Sequence, residues 1–193
     1  MWLKPEFGSY VMTAKNMEND TSGQLLADLF DEYSEWYMGL AAEYGSLPRS
    51  LSGLSKEGGQ FIYLLDDLEL HHMIRNKYLR YILDELESVV YAYGGIDLRG
   101  DSDAAEVAEV LSVSAADSEH YITGDWRVVR DEDGKVADLA HLGTRQGNDP
   151  EEHPGTWFMA GSVSFSALEK SRFGALWDEA KPGVIFRDRN REG

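Results

Sequence analysis

Carboxylates and imidazoles are the side chains of this chain that could do chemistry, and their spacing decides which chemistry is open to them. The histidines are His71, His72, His120, His141 and His153. A zinc or iron centre wants two or three imidazoles beside carboxylates, for example His141 and His153 with Glu151 or Glu152. No HExxH spacing occurs, and the adjacent His71 and His72 cannot face one site from a regular helix. The expectation is no metal, with His141 an ordinary strand residue and His153 in a polar loop. Asp131-Glu132-Asp133-Gly134 has the look of a calcium loop, but Val129 stands at its first ligand position and Ala140 at its last, so it reads as a hairpin turn.

Carboxylate pairs for acid–base catalysis could come from Asp66, Asp67 and Glu69 or from Asp84, Glu85 and Glu87. These acids flank a basic island of Arg75, Lys77 and Arg80, and Arg80 lies four residues before Asp84, the spacing of a solvated helix face. Gly161-Ser162-Val163-Ser164 lacks the second glycine of a nucleophile elbow. Gly143-Thr144-Arg145-Gln146-Gly147 lacks a phosphate-loop lysine. Arg187, Arg189 and Arg191 form a basic end. The chain has no cysteine, which removes thiolate ligands, a thiol nucleophile and disulfides. No catalytic residue can be named, and no cofactor is expected.

What remains is charge. Thirty-five acids stand against 18 bases, a formal net charge of −17. Two stretches carry most of it: eleven acids against Arg49 and Lys56 between Glu18 and Glu69, and eleven against Arg99 between Asp84 and Asp125. Such a field repels nucleic-acid backbones and anionic membrane surfaces and attracts basic partners.

The segment that must present these acids is the clearest helix of the sequence, residues 22–44. Leu25, Leu29, Tyr33, Trp36, Leu40 and Tyr44 recur at steps of three and four, with Leu26, Phe30 and Tyr37 widening the stripe. At about 100° per residue, Asp28, Asp31, Glu32 and Glu35 fall on the opposite side. Ser22 suits the N-cap and Gly45 the stop. Residues 45–59, with Pro48 and several Ser and Gly, read as a loop. A long apolar pattern from Phe61 to Tyr93 reads as helix, with a break at Glu69–His72 or a strand at Phe61–Leu65 as variants, and Gly94-Gly95 reads as its C-cap. A short helix is expected through Ala104, Val107, Ala108 and Leu111.

Beyond it the pattern changes. Tyr121–Arg130 and Lys135–Leu142, joined by Asp133-Gly134, predict a hairpin. Trp157–Phe165 predicts a third strand, Ser166 and Glu169 a capping box opening a helix through Phe173 and Trp177, and Val184–Phe186 a last short strand. The fold class is α+β over one domain, residues 1–193. A helical layer of two or three helices (22–112, antiparallel in its core) precedes a small, mainly antiparallel sheet with one packed helix (119–188). Without an apolar leader or a membrane-length apolar run, the chain reads as soluble and cytoplasmic.

The functional expectation is an acidic protein-binding module that engages a basic protein, with Asp28, Asp31, Glu32, Glu35 and Trp36 as its contact residues. An inhibitor, an immunity-type protein or a nucleic-acid mimic such as an anti-restriction or anti-CRISPR protein would have this character. The alternatives are an enzyme with scattered His and carboxylate groups near residues 141–153, and an oligomer subunit that buries the Tyr33, Trp36, Tyr37 and Tyr44 stripe. Direct binding to nucleic acid or membrane is not expected. In about 150 mM salt, where the Debye length is about 8 Å, a gel-shift titration should show no sub-micromolar binding to duplex DNA. Binding at that level would contradict the charge argument.

Overall fold

The computed structural model describes residues 22–45, 49–55, 59–65, 72–99, 107–148 and 163–188. In chain order these form helix α1 (Ser22–Tyr44), strands β1 (Ser50–Ser55) and β2 (Gly59–Leu64), helix α2 (His72–Glu85) and strands β3 (Ser88–Arg99), β4 (Ala108–Ala116), β5 (Tyr121–Arg130) and β6 (Val136–Gly147). Helix α3 (Ala167–Ala180), a 3-10 turn (Lys181–Gly183) and strand β7 (Ile185–Asp188) follow. The strands make one seven-stranded antiparallel sheet in the order β6-β5-β4-β3-β1-β2-β7. The class is α+β, as the sequence implies.

Successive residues of a strand point to opposite faces, and β3 shows how the two faces are covered. Val90 and Ala92 pack into one apolar cluster with Leu26, Leu29, Phe30, Tyr33, Tyr37 and Ala41 of α1. Leu111, Val113 and Ala115 of β4 and Trp126 and Val128 of β5 complete it. Tyr91, between Val90 and Ala92, joins the other cluster with Tyr78, Leu79, Ile82 and Leu83 of α2, Phe173 and Trp177 of α3, and Leu51, Phe61 and Tyr63. Each fully buried large side chain in these clusters contributes about 1.5–3 kcal/mol. Two hydroxyls fix α1 on its sheet. Tyr33 donates to the Ser50 carbonyl at 3.2 Å, and Tyr37 to the Gly94 carbonyl at 3.1 Å.

Several expectations are corrected. Residues 60–93 are not one helix: Gly59–Leu64 is β2, and Ser88 begins β3. Phe61, Ile62 and Tyr63 are all buried, because β2 is covered on both faces; a short continuous apolar run of this kind fits a helix template as well as a strand. The stretch 45–59 is not simply a loop, since it contains β1, whose Ser50 and Ser52 have no exposed surface. Small residues are needed there because β1 lies between β2 and β3. A Cβ on Gly53 would lie 2.6 Å from the Phe61 ring, and Ser52 Oγ donates to the Phe61 carbonyl at 2.9 Å. Gly94 and Gly95 lie within β3 rather than ending a helix. A Cβ on Gly94 would meet the Tyr33 and Tyr37 rings at 3.2 and 3.3 Å, and one on Gly95 would lie 2.7 Å from Arg49 Cγ.

The helix expected through Leu111 is overturned where it is described, because Ala108–Ala116 is β4. Residues 22–112 are therefore not mainly helical, and the expected antiparallel helix pair does not form: α1 and α2 lie on opposite sheet faces. Of the expected strand at 157–165, Val163–Phe165 is irregular and the rest lies outside the described residues. Other local readings hold. Gly45 closes α1 at φ 75°, donating its N–H to the Ala41 carbonyl. Gly134 turns the β5–β6 hairpin at φ 78°. Ser166 Oγ accepts from the Glu169 N–H while Glu169 accepts from the Ser166 N–H, the reciprocal cap of α3.

Two glycines separate close approach from simple conformational cost. Gly39 is exposed on α1 with open space about its Cα, so Gly39→Ala should raise stability in urea unfolding by about 0.5–1 kcal/mol. Gly94→Val should lower it by about 1–3 kcal/mol through contact with the two tyrosine rings. Equal effects of the two substitutions would contradict this packing.

Candidate functional site

Helix α1 buries the stripe centred on Tyr33 and Tyr37, so its outer side carries the acids. Asp31 and Glu35 are exposed, and Asp28 and Glu32 are half-buried. Gln24 Nε2 donates to Asp28 Oδ1 at 2.7 Å, one helical turn away. Steps of three and four residues set these carboxylates about 5–6 Å apart along the helix. Trp36 is half-buried, its ring centroid 5.3 Å from that of Tyr33 and 5.6 Å from that of Tyr37. It packs against the α1 cluster and borders the acidic face. Tyr33 and Tyr37 are core, whereas Tyr44 is exposed at the end of the helix.

Six of the described basic side chains are engaged elsewhere. Lys77 pairs with Glu169 at 2.7 Å, Arg80 with Asp84 at 3.0 Å, Arg130 with Glu109 at 2.5 Å, and Arg49 with Asp97. Arg99 and Arg145 both reach Asp125 Oδ2, at 3.0 and 3.1 Å. Among the described residues, none of these ion pairs draws on Asp28, Asp31 or Glu35. The outer side of α1 is left with its negative charge.

A second polar region lies on the sheet face opposite α1, beyond the part covered by α2 and α3. Ser112 Oγ donates to Asp125 Oδ1 at 2.6 Å and accepts from Arg99 at 2.6 Å. Thr123 Oγ1 donates to Ser114 Oγ at 2.9 Å, and both residues are buried. Burial alone would raise the Asp125 carboxyl, but the Ser112 and Arg99 hydrogen bonds and the charges of Arg99 and Arg145 outweigh it and hold the group below its ordinary value. At the β4–β5 turn, Asp117 Oδ1 accepts the N–H groups of Glu119 and His120, both at 2.7 Å. The sequence reading missed this region. Its signal was the alternation of Ser112 with Ser114 and of Thr123 with Asp125, polar residues on one face of two adjacent strands whose other face is apolar.

The remaining candidates do not converge. His141 lies on edge strand β6, exposed, with Nε2 3.0 Å from Thr144 Oγ1. His153, Glu151, Glu152, Asp66, Asp67, Glu69, His71, Ser162, Arg189 and Arg191 lie outside the described residues, while His72 begins α2, Ser164 is exposed and Arg187 lies in β7. Asp84 and Glu85 are exposed at the end of α2, and Glu87 follows at φ 46°, a left-handed turn residue. Gly143–Gly147 is strand rather than a phosphate loop. Among the described residues, no three His, Asp or Glu side chains gather as metal ligands would, and no helix is long and apolar enough to cross a membrane. No family model, no curated protein and no solved structure matches the chain.

One carboxylate makes a pH dependence testable. The Lys77 hydrogen bond, followed by those from Ser166, holds Glu169 at about 2, against an ordinary 4.5. A depressed carboxylate stabilises the fold fully above its unfolded value and loses that contribution as pH falls through the folded one. Thermal stability should therefore drop between pH 4.5 and about 2, and the drop should be shallower in Glu169→Gln. Parallel profiles for the two proteins would contradict the assignment.

Proposed function

We propose that this protein is a binding module whose outer α1 face, Asp28, Asp31, Glu32 and Glu35 with Trp36 at its border, engages a basic protein. The observation that supports it best is the uneven neutralisation of charge. Arg49, Arg99, Arg130 and Arg145 are paired with carboxylates of the sheet, whereas Asp31 and Glu35 are exposed on one side of a long helix and enter none of the described ion pairs. A helix held to the sheet by its whole buried stripe presents its charges with little ordering cost on association. Electrostatic complementarity of this kind speeds encounter and favours basic partners over others.

Carboxylates spaced along a rigid helix can also stand in for phosphates. The partner we favour is accordingly a protein that itself binds nucleic acid, whose basic groove the helix would occupy and thereby block. An enzymatic reading gains no support from the described residues, since His141 stands apart from any cluster of acids.

Asp31 and Glu35 are the positions for a test, because both are exposed; the substitutions Asp31→Lys and Glu35→Lys should each change stability by within about 0.5 kcal/mol. Immobilised wild-type protein, exposed to extract of its native cells, should retain a basic protein that is released by rising salt and by added duplex DNA. The double variant should retain much less of it. Equal retention by the two proteins, or retention indifferent to salt, would reject the proposal.

A further inference from the structure

We draw no further inference here: the strongest candidate, the Asp117–His120 side-chain pair at the β4–β5 turn, whose Asp117 Oδ2 and His120 Nδ1 are shielded from solvent and unpartnered, carries nothing because no third ligating His, Asp or Glu joins it among the described residues and nothing in the structure shows what would occupy it.

Discussion

Burial on both faces of β1 and of the part of β3 paired with it is the constraint on which the rest of the molecule depends. There the strands lie inside the sheet with α1 on one side and α2 and α3 on the other, so their side chains are mostly apolar or very small, whereas Asp97 and Arg99 lie toward the open end of β3. Gly53 makes room for the Phe61 ring, and Gly94 admits the Tyr33 and Tyr37 rings close to the backbone. Tyr33 and Tyr37 then turn their hydroxyls into bonds with Ser50 and Gly94, satisfying groups that would be costly to bury alone. Docking α1 in this way settles which of its sides is inside. The acids are left facing outward by default, and any use of them for binding follows from that.

The same constraint explains what was legible in the sequence. Helix α1 could be read in full because one of its sides is wet, so its apolar stripe has a clear period. The β5–β6 hairpin and α3 announced themselves through local chemistry: a glycine that must take positive φ, and the reciprocal Ser166–Glu169 cap. The interior strands were obscured for the opposite reason. Phe61-Ile62-Tyr63 is apolar on both sides and has no alternation to read, and Ser50-Leu51-Ser52-Gly53 looks like a loop because crowding selects the small residues that loops also favour. Gly94-Gly95 marks a close approach within a strand, a pairing of glycines that a helix end can also carry.

Of the candidate sites, the acidic face was visible as a helical stripe, because its members are near in sequence. The polar face opposite was not. Arg99, Ser112, Asp125 and Arg145 are brought together only by the register of β3, β4, β5 and β6. Pairwise spacing along the chain gives no hint of that assembly, although the alternating Ser112–Ser114 and Thr123–Asp125 pattern marks two of its strands.

The account divides the surface by charge: carboxylates on the outer side of α1, guanidiniums on the sheet face behind it. Residue-by-residue surface potentials test that division directly, from the relaxation of amide protons by a cationic and by an anionic paramagnetic cosolute. The account predicts that the cationic probe dominates near Asp28–Glu35 and the anionic probe near Tyr93, Arg99 and Arg145. A potential equally negative at both places would contradict it.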